Sequence, residues 1–233
     1  MTALNWLLAD DGLAIVSDTL SLDVSDNRPK GLVTKVFYAS HLELFVAGTG
    51  IAPAITEFYY RAINSVVRDI GHLDEFATAM ASSIWGELQP QLPDGATATI
   101  YTFGWRPIDE AFVGFAYRST NGFASEELPK GCGIKPQPEG LDTTQPLGGV
   151  QDLAAMTCLQ QQQDRDRPRA ERLGIGGHLV LHRMQRLEEG SIVTTITRLA
   201  QMPHFDEDWE IILAKLPANA GHPLSEAILS EDA

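Results

Sequence analysis

Short runs of apolar residues separated by polar turns dominate the first fifty positions. Residues 2–8 and 12–17 are two such runs on either side of Asp10-Asp11-Gly12, a pattern typical of a β-hairpin. Residues 33–39 and 43–48 repeat the arrangement and predict a second hairpin. The polar stretch 19–31 between the hairpins contains Pro29 and Gly31, which favour a loop.

The pattern then changes to helical spacing and returns to strands. Apolar residues three and four positions apart predict one helix from about 53 to 70 and another from about 74 to 88. The remaining predicted segments are strands at 96–104, 108–118 and 123–127, a Gly- and Pro-rich loop at 131–148, a helix at 150–164, a hairpin formed by 178–187 and 191–199, and a short acidic helix at 206–215. A polar tail follows from about 216.

This order of elements indicates an α+β protein. Runs of strands that alternate with runs of helices favour two packed sheets between helical layers, a four-layer αββα sandwich. No linker of domain-boundary quality and no internal repeat interrupts the 233 residues, so we expect residues 1–233 to form a single domain.

Composition and charge narrow the function classes. Hydrophobic residues make up 44% of the chain, which is enough for a sizeable core, and the formal net charge of −14 argues against nucleic-acid binding. No apolar run reaches the length of a membrane span, and the N-terminus lacks the basic region of a secretory signal. The two cysteines, Cys132 and Cys158, have no paired spacing, so we expect a reducing, cytoplasmic location and no disulfide or zinc site.

Four residues near the N-terminus form a pattern known from one family. They are Thr2, Asp18 in VSDT, Lys35 in GLVTKVF and Gly50 in VAGTGIAPA. The pattern resembles proteasome β-subunits and, most closely, the bacterial proteasome-like peptidase that partners an ATP-driven unfoldase. These are N-terminal nucleophile (Ntn) hydrolases. The spacing from Thr2 to Asp18 matches without a gap, and the lysine requires one inserted residue before Gly31.

The chemistry explains why these residue types occur together. A threonine hydroxyl is a weak nucleophile that needs a base, and a free α-amine, which titrates near ~8, can serve on the same residue. Thr2 therefore acts only after Met1 is removed, and the small size of threonine favours that removal in bacteria. Lys35 would supply a positive field, Asp18 would hold Lys35, and the N–H of Gly50 would stabilise the oxyanion, with Gly48 as second choice.

Other positions follow from the same resemblance. Cys132 in Gly131-Cys132-Gly133 occupies the place of a family serine and would support Thr2, or would simply be a buried small residue. The substrate pocket would involve Ser21, Val33 and Ala52, which suggests small or apolar side chains next to the cleaved bond. An Asp and a Ser of eukaryotic-type subunits correspond to Arg172 and Ile175 and are not matched.

The resemblance implies a threonine endopeptidase without cofactors that hydrolyses peptides or unfolded proteins. It also implies a homo-oligomeric ring and an ATPase partner. Two alternatives stay open: a non-catalytic scaffold or binding subunit, and an Ntn amidase that acts on a small molecule. Each residue has an ordinary structural role by itself, and only the combination points to catalysis. His178 and His182 lie four apart in a predicted strand, which is too weak a signal for a metal site.

Overall fold

The computed structural model describes residues 2–23, 26–140 and 148–215. Over these ranges it contains twelve strands and four α-helices. In chain order they are β1 (Leu4–Leu8), β2 (Gly12–Ser17), β3 (Leu20–Leu22), β4 (Pro29–Leu32), β5 (Val36–Ala39), β6 (Leu44–Gly50), α1 (Ala52–Ile63), α2 (Ile70–Leu88), β7 (Ala98–Arg106), β8 (Ala111–Arg118), β9 (Ser125–Glu127), β10 (Gly131–Lys135), α3 (Val150–Asp166), β11 (His178–Arg186), β12 (Ile192–Gln201) and α4 (Phe205–Lys215). The tail predicted from 216 lies outside the described residues.

The first sheet has five antiparallel strands in the order β10-β1-β2-β11-β12. Its centre is the predicted N-terminal hairpin, in which Leu4 lies opposite Ser17 and Leu8 opposite Leu13. The N–H of Ala9 donates to the carbonyl of Gly12 at 2.9 Å and closes the turn. The start of β1 therefore lies beside the end of β2.

The second sheet has the order β5-β6-β7-β8-β9 and is also antiparallel. Its first pair is the second predicted hairpin, which closes through a short 3₁₀ turn at Ser40–Leu42. Strand β5 is shorter than β6, since its pairing begins with Val36 opposite Ala47. The last residues of β6 consequently have β7 on one side only.

Three apolar clusters hold these elements together. One lies between the sheets, where the ring of Trp6 packs 5.2 Å from Tyr101 and 5.5 Å from Phe103, measured between ring centroids. A second cluster joins α1 and α2 to the second sheet, and a third joins α3 to the first sheet. Both sheets thus bury apolar side chains on two faces, which explains the nearly continuous burial of β2 and β8.

Two predicted loops contain strands. Residues 19–31 were expected to be a loop, but β3 and β4 pair there as a separate two-stranded sheet with a register shift after Ser21. Residues 131–148 were expected to be irregular, but β10 pairs with β1 over its whole length. Glycine is necessary in β10 because a Cβ on Gly133 would lie 2.0 Å from the ring of Trp6. A steric requirement for glycine therefore hid the strand signal.

The helix boundaries also differ from the prediction. The first helix ends at Ile63 rather than near 70, and the second begins at Ile70 rather than near 74. The carboxylate of Asp69 accepts a hydrogen bond from the N–H of His72 at 2.8 Å and caps the second helix. In the described part of the chain, no helix has both the length and the apolar character needed to cross a membrane.

Candidate active site

Asp18 is the central residue of the candidate site. It follows β2 directly, and its side chain is fully buried. Oδ1 accepts from the N–H of Ala3 at 3.0 Å and from Lys35 Nζ at 2.9 Å. Oδ2 accepts from Lys35 Nζ at 2.8 Å and from the N–H of Gly176 at 3.0 Å. One carboxylate therefore binds three segments that are distant in the sequence.

Lys35 was expected within a strand but lies immediately before β5, which begins at Val36. Its side chain is only 7% exposed, so its ammonium group has lost nearly all bulk water. Because β5 begins at the next residue, the lysine backbone is fixed by the sheet while its side chain reaches across to the first sheet. The ion pair with Asp18 compensates a charge that would otherwise be costly to bury.

Thr2 precedes β1 and is 8% exposed. The hydrogen bond between the N–H of Ala3 and Asp18 fixes the backbone directly after it. Thr2 and Lys35 line the same cleft, which has a volume of about 770 Å³. The structure thus brings Thr2, Asp18 and Lys35 together, and their catalytic roles stay a prediction.

Gly48 and Gly50 line the cleft from the end of β6. The N–H of Ile51 donates to the carbonyl of Thr97 beside β7 at 3.1 Å. Hydrogen-bonded and non-hydrogen-bonded positions alternate along an antiparallel pair, so the N–H groups of Gly48 and Gly50 face the opposite edge. That edge is open beside Gly50, because the pairing of β5 begins with Val36 opposite Ala47 and leaves Lys35 opposite Gly48. Gly50 can therefore present its N–H as a donor to a group in the cleft.

The backbone explains why both positions are glycine. Gly50 has φ +91°, and a Cβ there would lie 2.0 Å from the carbonyl oxygen of Thr97. A Cβ on Gly48 would lie 2.5 Å from the side chain of Ile55 and 2.6 Å from the carbonyl oxygen of Thr99. A side chain at either position would displace backbone or the first helix.

Ser21, Val33 and Ala52, the predicted pocket residues, all line this cleft. Val33 is 45% exposed, so a large apolar side chain faces the opening. The walls between them are mainly apolar. The preference for small or apolar substrate side chains stays a prediction.

Cys132 is the predicted residue that the structure places elsewhere. It lies in β10 opposite Leu7, five positions along β1 from Thr2, which corresponds to roughly 17 Å of strand. It is exposed and does not line the cleft. Burial of part of the side chain and the neighbouring charge of Asp152 raise the pKa of its thiol, which disfavours a reactive thiolate. The structure places Cys132 neither beside Thr2 nor in the core, so both interpretations, support for Thr2 and a buried small residue, are wrong.

Sequence reasoning missed Asp164, which organises the remaining wall. Its buried carboxylate accepts from the N–H groups of Leu173 at 2.6 Å, Gly174 at 3.0 Å and Ile175 at 3.2 Å. This fixes the segment that presents the N–H of Gly176 to Asp18. The buried face of α3 does follow helical spacing, but most of its side chains are polar, so a search for apolar periodicity does not find it. Its buried residues are Leu153, Thr157, Gln160, Gln161 and Asp164.

The two histidines of β11 have separate surroundings. The ring of His182 is buried 5.5 Å from that of Phe45, and His178 lies 4.7 Å from the ring of Phe205 in α4. Desolvation lowers the pKa of His182 to about 4. Across residues 2–23, 26–140 and 148–215, no cluster of three His, Cys, Asp or Glu side chains is arranged to hold a metal ion.

Comparison with known proteins finds similarity among solved structures but not among sequences. No protein-family model and no curated protein matches the sequence. Among solved structures, Anbu (ancestral beta-subunit) from Yersinia bercovieri matches with a TM-score of 0.54 and 15% sequence identity, over 94% of this chain and 98% of that chain. The likeness extends over nearly the whole of both chains and shows that this chain has a proteasome-like fold.

Proposed function

We propose that this chain is a threonine-type N-terminal nucleophile peptidase that acts through Thr2 once Met1 has been removed. The observation that carries the proposal is the meeting of Thr2 and Lys35 in one cleft, with the carboxylate of Asp18 buried behind them. The proteasome-like fold supports it, because the matching structure is that of a beta-subunit.

In the proposed reaction, the free α-amine of Thr2 accepts the proton of the Thr2 hydroxyl as the hydroxyl oxygen attacks a peptide carbonyl. Lys35 holds a positive charge beside the developing negative charge. The N–H of Gly50 donates to the oxyanion. The tetrahedral intermediate collapses to an ester on Thr2, the amine passes its proton to the leaving amino group, and water then hydrolyses the ester.

The proposal extends to architecture and partners. The layers seen in the packing of helices and sheets would form the four-layer αββα sandwich of a single Ntn domain. Peptides or unfolded proteins would be the substrates. The chain would assemble as a homo-oligomeric ring, with an ATPase as a further candidate partner.

The direct test combines intact-mass analysis with a peptide electrophile that bonds to both the hydroxyl and the amine of an N-terminal threonine. We expect mass spectrometry to show loss of Met1 and addition of one electrophile per chain, located on Thr2. Thr2→Ser keeps both reacting groups and should be labelled. Thr2→Ala loses the hydroxyl and should not be.

The alternatives give different results. A correctly processed chain that is neither labelled nor able to cleave peptides would be the scaffold or binding subunit. An amidase for small molecules remains the second candidate because a cleft of about 770 Å³ is in the range that small ligands occupy. It would be labelled, would hydrolyse small amides but not peptides, and would be monomeric by size-exclusion chromatography.

A further inference from the structure

A second pocket adjoins the candidate active cleft. Its volume is about 260 Å³, and it is lined by parts of β3, the end of α3, the segment before β11 and α4. Four of its lining residues also line the cleft: Leu20, Leu22, Asn27 and Arg172. A chain lying in the cleft can therefore extend a side chain into the second pocket.

The charges around this pocket are unusual for a protein with a formal net charge of −14. Its lining contains four guanidinium groups and two carboxylates, which leaves two positive charges in excess: Arg28, Arg165, Arg169 and Arg172 with Asp164 and Asp208. Asp164 accepts from three backbone N–H groups. Asp208 pairs with Arg165 through Oδ2, while its buried Oδ1 has no hydrogen-bond partner among the described residues. Burial raises the pKa of Asp208 in spite of the pairing with Arg165.

The positive charges of the other three guanidinium groups are not compensated by a close carboxylate among the described residues. Arg172 donates to the backbone carbonyls of Arg165 at 2.8 Å and Arg167 at 3.1 Å, which are neutral acceptors. Arg28 has only a long contact of 3.7 Å to Asp26, and both side chains are about half exposed. The side chain of Arg169 is exposed and forms no ion pair with any residue in the described ranges. The pocket thus attracts an anion.

The walls indicate what kind of anion fits. Leu20, Leu22, Ile175 and Ile211 provide apolar surface between the charged groups. A carboxylate on a short aliphatic stem fits both the charged and the apolar lining of the pocket. Guanidinium groups bind planar carboxylates well, and the stem packs on the leucines and isoleucines.

We propose that this pocket is a subsite that binds the carboxylate of a glutamate or aspartate side chain of a peptide lying in the cleft, and so selects acidic substrates. The inference rests on the proposed peptidase function for the identity of the ligand, but the pocket and its charges do not depend on the chemistry at Thr2.

Binding can be measured without hydrolysis in the Thr2→Ala protein. The probes are fluorescein-labelled octapeptides with amidated C-termini that carry either two glutamates or two glutamines, and binding is read by fluorescence anisotropy. We expect the glutamate peptide to bind about tenfold more tightly, with a loss of roughly threefold in Arg169→Gln and most of the preference lost in Arg28→Gln/Arg169→Gln. Arg68→Gln removes one exposed arginine elsewhere and should leave the preference unchanged.

The outcomes separate this inference from the proposed function. Equal binding of both peptides, or the same loss in Arg68→Gln as in Arg169→Gln, would overturn the subsite. A glutamine peptide with a free C-terminus that binds as tightly as the glutamate peptide would show that the pocket takes a terminal rather than a side-chain carboxylate, against the proposal. If the electrophile fails to label Thr2 but the arginine-dependent preference persists, the peptidase function fails and the subsite stands.

Discussion

Replacement of Asp18 by Asn tests the buried ion pair at the centre of the site. The side chain is fully buried, and Asn keeps its shape but replaces one oxygen by an NH₂ group. Each oxygen now accepts from Lys35 Nζ and from a backbone N–H, so the new NH₂ faces two donors wherever it lies. The ammonium of Lys35, only 7% exposed, loses its counter-charge.

The expected cost follows from the rule that removing one partner of a buried pair destabilises by about 3–5 kcal/mol. With a denaturant slope of about 2–3 kcal/mol per molar urea, the unfolding midpoint should fall by about 1–2 M. Lys35→Met should cost less, about 2–3 kcal/mol, because the carboxylate keeps two backbone N–H donors. The double variant should lose about 2 kcal/mol less than the sum of the single variants.

The assay is urea unfolding followed by circular dichroism at pH 7 and one fixed protein concentration. Glu57→Gln is the matched control, because Glu57 forms an ion pair of the same length, 2.8 Å, with Arg61, but their side chains are 44% and 32% exposed. That pair should be worth less than about 1 kcal/mol. If Asp18→Asn costs no more than Glu57→Gln, the buried pair does not organise the site and this reasoning is wrong.

Three further predictions concern other parts of the site and the core. Gly50→Ala places a Cβ 2.0 Å from the carbonyl oxygen of Thr97, so it should lower the free energy of unfolding in urea by more than about 2 kcal/mol and abolish labelling of Thr2. Gly95→Ala is the control. Gly95 has φ +76° but no atom within 4 Å of an added Cβ, so this change should cost only about 1 kcal/mol. Burial lowers the pKa of His182 to about 4 in the folded protein, below the unfolded value of 6.5. Between these values the unfolded chain binds the proton and the folded protein does not. The contribution of His182 to stability is therefore fully present above pH 6.5 and is lost as the pH falls towards 4. His182 should make the free energy of unfolding about 2 kcal/mol smaller at pH 5 than at pH 7, and His182→Gln should remove that contribution. Asp164→Ala leaves three N–H groups without their acceptor and should reduce labelling at least tenfold, while Asp164→Asn, which keeps one oxygen, should be milder.

The strands that the sequence predicted well share a physical property. All three predicted hairpins pair as expected. The strands of the first two are bounded by turn residues and bury apolar side chains, so the hydrophobic pattern and the turn signals agree. Strand β10 carries no such pattern because Gly133 must leave room for Trp6, a residue far away in the sequence. Strands β3 and β4 are short and lie outside both large sheets, which leaves only a weak pattern to detect.

Some residues of the candidate site could be predicted from the sequence and others could not. Thr2, Asp18 and Lys35 could be found because their spacing resembles that of a known family, and the structure brings them together. Asp164 could not be found by an apolar pattern because its neighbours on the buried face of α3 include Gln160 and Gln161. The resemblance also suggested Cys132, whose place along β10 is fixed by pairing with β1 and not by the motif around it.

Asp18 shows why function and stability have to be separated by experiment at this site. The same carboxylate holds the start of β1, the ammonium of Lys35 and the segment around Gly176, so a loss of activity in any Asp18 variant follows equally from lost chemistry and from lost structure. Thr2→Ala differs, because it removes the reacting hydroxyl while the four hydrogen bonds of Asp18 can remain. An unchanged urea midpoint together with complete loss of labelling in Thr2→Ala would therefore assign the chemistry to the hydroxyl, independently of the ion pair behind it.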